Sequence, residues 1–373
     1  MRFLMLNWRD PKNPLAGGAE RVTQACLAAL VGRGHRACWF TYDFPGAKAE
    51  EEIDGITIVR AGGKGSSILK ATAWYRRQQP FDLVIDQHHG IPWYAPWWCR
   101  TNCIGFIHEV LGPIWGSFYP WPVSLIGRWQ ERWTHWLYRD VPFWVPSPST
   151  KEALHRHGVR HVTFLSNGID TATLPALDDK PLVSPLRLIV VSRLAPNKRV
   201  DHCVRALQCL LANGMEAHLT IVGGGMSERQ LRELGTTLGV GSRLTFKGSL
   251  SEAQKDEELR RAHVLIHTSV REGWGLNVTE AAARGTPAVV YPVAGLVDST
   301  RHNETGLVAA TETPEALAAA LAQLLNYPAE YQRLRRNALE RARQLSWRNV
   351  LPKSCEWLEE QAAQKRAPAV KRG

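Results

Sequence analysis

The feature that most constrains the fold is a repeated alternation between continuous apolar runs and segments with helical periodicity. The run RFLMLNW occupies residues 2–8, and apolar residues at helical spacing follow the glycine pair Gly17–Gly18. Apolar runs without polar alternation are typical of parallel strands that are buried on both faces. A strand–helix–strand rhythm therefore predicts a parallel sheet covered by helices.

This rhythm occurs twice along the chain. A polar stretch with three prolines, LPALDDKPLVSP at 174–185, separates the two series and is typical of a linker. We therefore predict an α/β chain of two Rossmann-like, doubly wound domains that face a central cleft. The expected domains are residues 1–178 and residues 186–345.

Composition limits the compartment and the partners. The net charge is +11 over 373 residues, which favours anionic partners. The seven cysteines show no CxxC spacing, so we expect a cytoplasmic protein without a disulfide framework. No apolar run approaches ~18 residues, and no nucleic-acid motif accompanies the charge. We therefore expect no membrane-spanning helix and no nucleic-acid partner.

Two glutamates lie in the stretch REGWGLNVTEAAARGTPAVV, with seven residues between them. Glu272 is expected in a loop that follows a strand, and Glu280 about two turns along the next helix. Gly273 and Gly275 let the backbone approach a ligand and free the first amides of that helix for an anion. We predict that Glu272 accepts sugar hydroxyls and that Glu280 accepts ribose hydroxyls. The alternative is a helix cap and a surface acid.

A basic loop follows the first strand of the second series. Arg193 and Lys198 lie on the way into a helix, where two cations could clamp a diphosphate. The alternative is a solvated loop. No Asp-x-Asp occurs, so a metal-bridged diphosphate is not indicated, and arginine, lysine and backbone amides would neutralise the charge.

These motifs occur in a fixed order, and together they resemble the retaining GT-B glycosyltransferases of family GT4. The resemblance rests on Glu-x7-Glu with Gly-x-Gly and on the segments GGAERV (17–22), FIHE (106–109), SNGID (166–170), VSRLAPNK (191–198) and NETGLV (303–308). It covers nearly the whole chain. Glu109 stands where the family more often has Asp, and Trp274 where it more often has Phe.

The resemblance implies an enzyme that moves a hexose from GDP-mannose or a UDP-hexose to an acceptor hydroxyl, with retention and without a metal or other cofactor. The acceptor would be a glycan or a lipid-linked intermediate of cell-surface polysaccharide synthesis, bound by the first domain. A final helix at 346–365 would cross back to that domain. The implied catalytic residues are His108, Glu272, Arg193 and Lys198. The implied donor-binding residues are Gly17, Gly18, Gly273, Trp274, Gly275, Leu276, Asn277, Glu280, Lys247, Leu250 and Glu252.

Two other functions stay open at this point. One is a nucleotide-sugar epimerase of GT-B fold, which would use the same diphosphate site without an acceptor. The other is a non-catalytic peripheral membrane protein that keeps the fold as a scaffold.

A tryptophan-rich segment at 111–146 is the most unusual part of the sequence. Trp129, Trp133 and Trp136 share one helical face, with Arg128 and Arg132 close by. The default expectation is a buried helix packed on the first sheet. Contact with an anionic membrane at the inner face of the cytoplasmic membrane and contact with the acceptor are the alternatives.

Overall fold

A computed structural model of the chain describes residues 1–63 and 65–364. These residues form two compact units. The first unit contains Met1–Leu111, Ile126–Gly168 and residues 347–364, and the second contains Gly112–Leu125 and Ile169–Ser346.

The strands that the structure describes follow the two predicted series. They are β1 Arg2–Leu6, β2 Arg36–Thr41, β3 Glu50–Ile53, β4 Ile56–Arg60, β5 Leu83–Gln87, β6 Asn102–Phe106, β7 Phe143–Val145, β8 Val162–Phe164, β9 Leu186–Val191, β10 Ala217–Val222, β11 Leu244–Gly248, β12 Val264–His267, β13 Ala288–Val290 and β14 Gly306–Val308.

The helices alternate with these strands. They are α1 Gly18–Gly32, α2 Ser67–Tyr75, α3 Ala95–Trp98, α4 Trp115–Phe118, α5 Val123–Leu137, α6 Pro148–Arg156, α7 Val200–Ala212, α8 Glu228–Thr237, α9 Glu252–Arg261, α10 Leu276–Ala283, α11 Leu296–Ser299, α12 Pro314–Asn326, α13 Pro328–Gln344 and α14 Trp347–Ala363.

The first unit is built on a sheet with the strand order β3-β4-β2-β1-β5-β6-β7-β8. Its strand pairs are parallel except for the β3–β4 pair, which is antiparallel. Leu4 of β1 lies beside Cys38 on one side and Val84 on the other. The parallel α/β architecture is confirmed. The sequence analysis had not identified β3, β4 and β8, which lie toward the two edges of the sheet.

The second unit has a wholly parallel sheet with the order β11-β10-β9-β12-β13-β14 among the described residues. From β9, successive strands first add on one side and then, from β12, on the other. Open α/β sheets bind ligands outside the carboxyl ends of the strands at such a switch point. The loops that follow β9 and β12 are therefore the expected ligand-binding loops of this unit.

The segment predicted as a polar linker is anchored to the second unit. Lys180 is buried, and its ammonium group donates to the carbonyls of Arg260 and Ala262 at 2.9 and 2.8 Å and to Thr286 Oγ1 at 2.7 Å. Burial and the charge of Arg335 lower the pKa of Lys180 to about 6. A lysine can be buried when its donors are satisfied, and sequence composition alone does not show those acceptors.

The last described helix, α14, belongs to the first unit and packs against α1. Arg33 donates to both carboxylate oxygens of Glu359 at 2.7 and 2.8 Å, and His35 Nε2 lies 2.7 Å from the same carboxylate. Gly168 is in close contact with Trp347, because a Cβ at this glycine would lie 2.2 Å from the indole ring. These contacts fix both ends of α14.

The default expectation for the tryptophan-rich segment is wrong. Trp129, Trp133 and Trp136 on α5 are 67%, 44% and 53% exposed and do not pack on the first sheet. The buried side of α5 carries Gly127, Glu131, Thr134 and His135 instead. Among the described residues, no helix combines the length and apolar character needed to cross a bilayer.

Candidate active site

Two loops emerge side by side at the switch point of the second sheet. The first runs from Ser192 to Arg199 after β9, and the second runs from Thr268 to Gly275 after β12. Because β9 and β12 are parallel neighbours, both loops leave the same edge of the sheet. Six of the predicted site residues lie on these two loops, namely Arg193, Lys198, Glu272, Gly273, Trp274 and Gly275.

The two loops are joined by hydrogen bonds between them. Arg199 donates from Nε to the carbonyl of Thr268 at 2.7 Å and from a terminal nitrogen to the carbonyl of Ser269 at 2.8 Å. The hydroxyl of Thr268 lies 3.0 Å from the carbonyl of Lys198. The amide of Val270 donates to the carbonyl of Asn197 at 2.9 Å. The loops therefore form one structural element.

Glu272 lies at the centre of this element. Its Oε1 accepts hydrogen bonds from the ammonium of Lys198 and from Ser269 Oγ, the latter at 2.8 Å. The same oxygen lies 3.1 Å from His267 Nε2. Burial alone would raise the pKa of Glu272, but the charge of Lys198 and the hydrogen bond of His267 outweigh it and hold that pKa well below its usual range. Glu272 is therefore ionised throughout the neutral range and oriented by three partners.

Glu280 is held by a different lysine. It lies on α10, is buried, and its Oε2 is 3.0 Å from Nζ of Lys255 on α9. The same Nζ lies 2.7 Å from Oε2 of Glu252, at the start of α9. Lys255 therefore connects two acids, Glu280 and Glu252, that the sequence analysis placed among the donor-binding residues, and the sequence analysis did not identify Lys255 itself.

Arg193 is the most accessible cation on the first loop. Its side chain is exposed and makes no hydrogen bond or ion pair within the described part of the chain. Lys198, by contrast, is mostly buried against Glu272. Arg193 is therefore available to an anionic ligand without breaking any internal contact.

Three glycines that the sequence analysis had not singled out hold the loops in place. A Cβ at Gly223 would lie 2.0 Å from the carbonyl oxygen of Ser192, and one at Gly225 would lie 2.4 Å from that of Leu194. A Cβ at Gly295 would lie 2.1 Å from the carbonyl oxygen of Glu272. The run of three glycines after β10 was the available signal, because glycine permits such close backbone approach.

Gly273 and Gly275 flank the start of α10. Gly275 is the residue before the helix and has a φ of +85°, in the left-handed region. A side chain there would be strained and would crowd Leu296, 3.0 Å from its Cβ position. The glycine therefore sets the direction in which α10 leaves the loop.

Several predicted donor-binding side chains make contacts within the protein. Trp274 is buried, and its indole donates to Thr279 Oγ1 at 3.0 Å. Asn277 donates to the carbonyl of Val191 at 2.8 Å, which ties α10 to β9. Leu276 and Leu250 pack against apolar clusters. The indole of Trp274 is therefore not available to a ligand.

The predicted donor-binding residues Lys247 and Glu252 lie in β11 and at the start of α9. Ser251 caps α9 and accepts from the amide of Gln254 at 3.3 Å. Glu252 is exposed, apart from its ion pair with Lys255. Lys247 is also exposed and lies 3.4 Å from Glu258.

Gly17, Gly18 and His108 lie in the first unit. The amide of Gly17 donates to Glu20 Oε2 at 2.7 Å, so this amide is already paired, and α1 begins at Gly18. The loops after β1 and β5 leave the switch point of that sheet, and His108 follows the next strand, β6.

His108 is held as a neutral imidazole. Thr23 donates to Gln87 Oε1 at 2.6 Å, which turns the Gln87 amide nitrogen toward His108 Nε2 at 3.0 Å. Nε2 is then the acceptor and Nδ1 carries the hydrogen. Burial and the charge of His89 lower the pKa of His108 to about 3. At neutral pH this histidine can donate a hydrogen bond from Nδ1 but carries no charge.

No group of three or more His, Cys, Asp or Glu side chains in residues 1–63 and 65–364 is arranged to hold a metal ion. The positively charged side chains on the first loop are Arg193, Lys198 and Arg199, and the amides at the start of α10 add partial positive charge.

Comparison with known proteins identifies the family. Residues 179–341 match the family described as Glycosyl transferases group 1, and residues 16–173 match Glycosyltransferase Family 4. A glycogen synthase of Mycobacterium tuberculosis is 29% identical over 383 residues, which cover 94% of this chain and 92% of that protein.

Solved structures show the same architecture. Sucrose-phosphate synthase from Thermosynechococcus elongatus has a TM-score of 0.78 at 19% identity, over 96% of this chain and 98% of its own. The Anabaena protein HepE, solved with UDP and glucose, has a TM-score of 0.74 at 18% identity, over 96% of this chain and 100% of its own. With both halves of the chain matched and both sheets built mainly from parallel strands, the chain belongs to glycosyltransferase family 4 and has the GT-B fold.

Proposed function

We propose that this glycosyltransferase moves a hexose from a nucleoside diphosphate sugar to an acceptor hydroxyl, with retention at the anomeric carbon and without a metal ion. The observation that carries the proposal is the arrangement at the β9/β12 switch point. There an accessible Arg193, a Lys198–Glu272 ion pair and a glycine-flanked helix start lie on two joined loops.

The diphosphate of the donor would bind to these loops. Arg193 can contact it without losing a partner, and the amides at the start of α10 favour an anion. Lys198 lies within reach of the same region, and a diphosphate would compete with Glu272 for its ammonium. These cations and amides would stabilise the charge that develops on the departing nucleoside diphosphate, which is the main demand of this reaction.

The hexose would lie beside Glu272. An ionised carboxylate that three partners hold in place is a strong acceptor for sugar hydroxyls. Its fixed position would orient the donor for attack. Glu280 would accept the ribose hydroxyls, with Lys255 holding its carboxylate. Glu252 and Lys247 would lie toward the base, where an acid at position 252 favours guanine.

The first unit would supply the acceptor site and two donor contacts. The neutral His108 would donate from Nδ1 to the hexose, and the amide of Gly18 would contact a phosphate oxygen at the start of α1. In the retaining reaction the acceptor oxygen would attack on the face from which the phosphate departs, and the leaving phosphate would take the acceptor proton. No protein nucleophile is assigned.

For the donor we propose a UDP-hexose or GDP-mannose. The UDP and glucose bound to HepE support the first, and the acid at Glu252 supports the second. For the acceptor we propose a glycan or a lipid-linked intermediate of cell-surface polysaccharide synthesis, used at the cytoplasmic side.

Calorimetric titration with GDP, UDP and dTDP tests the site. We expect one diphosphate to bind clearly more tightly than the others, without added metal and in the presence of EDTA. Glu280→Gln should weaken that binding, and a matched change at the half-exposed acid Glu257 on α9 should not. Binding of none of the three would contradict the site. Epimerisation of the donor sugar without acceptor would instead favour the epimerase.

A further inference from the structure

The helix α5 presents a large apolar face to solvent. Trp129, Trp133 and Trp136 share this face with Leu125 and Ile126, which are 56% and 62% exposed. We call these five residues the tryptophan face. The segment just before it adds further exposed apolar residues, namely Phe118, Tyr119, Trp121 and Val123. Soluble proteins seldom leave so many contiguous aromatic and aliphatic side chains in water.

The polarity of α5 is inverted relative to an ordinary surface helix. Its buried side carries Glu131, whose Oε1 accepts from the amide of Leu111 at 2.5 Å. It also carries His135, whose Nδ1 lies 2.7 Å from Nδ1 of His157. The polar side of the helix therefore packs on the protein, while the five side chains of the tryptophan face remain 44–67% exposed.

Arginines border the tryptophan face on one side. Arg128 and Arg132 are exposed on α5, and the guanidinium of Arg139 lies over the ring of Trp136 at 4.7 Å from its centre. The acid within α5 is the buried Glu131. The exposed surface of the helix is thus apolar and cationic, in a chain whose net charge is +11.

We propose that the tryptophan face docks onto an anionic lipid membrane. Tryptophan rings settle at the level of the headgroups, aliphatic side chains enter the acyl boundary, and arginines pair with lipid phosphates. A helix that lies in the membrane–water interface requires one polar side that packs on the protein. It also requires an opposite side that is apolar and bordered by arginines. This docking is independent of the donor site.

A second copy of the chain is a weaker occupant of this face. In a twofold contact the same patch meets itself, so the arginines of one copy would lie near those of the other. No exposed carboxylate within α5 could pair with them. Anionic lipid supplies the missing negative charge.

Vesicle co-sedimentation of the full chain tests the proposal. The vesicles would be phosphatidylcholine alone and an equal mixture of phosphatidylcholine and phosphatidylglycerol. We expect binding to the anionic mixture, weakened roughly tenfold or more in W129S/W133S and in R128Q/R132Q. L69S, which changes an exposed leucine on α2, and R156Q, which changes an exposed arginine on α6, are the matched controls and should bind like wild type.

The same variants separate this proposal from the proposed function. Nucleotide titration should be unchanged in W129S/W133S, because the substituted side chains are exposed on α5 and lie outside the switch point. The docking proposal is overturned if the wild type does not bind anionic vesicles, or if the face variants bind as well as L69S. It is also overturned if the wild type is a dimer that W129S/W133S converts to a monomer without any vesicle binding.

Discussion

The ammonium of Lys198 is bonded to the same carboxylate oxygen of Glu272 that accepts from Ser269 and faces His267. A cation assigned to the diphosphate and an anion assigned to the sugar are therefore paired with each other before any donor binds. Binding of a diphosphate would draw Lys198 toward the phosphates and leave Glu272 free to accept sugar hydroxyls. Four predictions follow from this and related contacts.

Replacing Glu272 should abolish transfer without unfolding the chain. We expect Glu272→Ala to lower kcat/KM by roughly a hundredfold or more, because the hexose loses its oriented acceptor and Lys198 loses its partner. Steady-state assays with the donor found by calorimetry would measure this. Glu257→Ala, on the exposed side of α9, is the control. Near-normal activity of Glu272→Ala would remove this residue from the site.

Substitution of the loop glycine Gly295 should lower activity, because Gly295 supports the backbone of Glu272. Gly295→Ala places a Cβ against the carbonyl of Glu272, so we expect at least roughly a tenfold loss of kcat/KM with an unchanged circular dichroism spectrum. Gly214→Ala is a matched control, because Gly214 has a similar positive φ of +73° but open space around its Cβ position. Equal losses in both variants would show that backbone strain, and not displacement of Glu272, is responsible.

Lys255 should act on nucleotide affinity through Glu280. Without the ammonium, the buried Glu280 carboxylate loses its counter-charge and the partner that orients it, so it would accept ribose hydroxyls less well. We expect Lys255→Met to raise the Kd of the nucleoside diphosphate about tenfold. Glu252→Gln keeps the Lys255–Glu280 contact and should leave UDP affinity unchanged. A selective loss of GDP affinity in Glu252→Gln would assign guanine to this position.

The neutral His108 should cause the free energy of unfolding to fall as the solution is acidified. Its folded pKa of about 3 lies below the ordinary value near 6.5, so the unfolded chain takes up a proton first. The stability that the neutral imidazole contributes is therefore fully present above pH ~6.5 and is lost progressively toward the lower pKa. Urea unfolding at pH 7 and pH 5.5 should show about 1 kcal/mol more loss in wild type than in His108→Asn. An equal loss in both proteins would contradict the lowered pKa.

The sequence was sufficient for contacts that are local or that follow from topology. The continuous apolar runs predicted the parallel sheets, and Glu272 and Glu280 lie in the loop and helix expected of them. The partners of these acids could not be predicted from the sequence in the same way. Lys255 comes close to Glu280 only because α9 packs against α10, and Gly295 reaches Glu272 from the loop after the next strand.

The tryptophan-rich helix shows a different limit. Periodicity correctly grouped Trp129, Trp133 and Trp136 on one face, but it could not show which face meets the protein. Burial was the reasonable default for aromatic residues. It was wrong because Glu131 finds a backbone amide at Leu111, a satisfied polar contact that depends on tertiary structure.

The bonds from Arg199 to Thr268 and Ser269 have a consequence for how this site can change during evolution or engineering. These bonds couple the loop that carries Arg193 and Lys198 to the loop that carries Glu272, so we expect the two loops to change together. A graft that brings only one of them from a relative would leave carbonyls and a guanidinium without their partners. We therefore expect a graft to transfer donor preference between family members when both loops are exchanged together. A graft of either loop by itself should not transfer it.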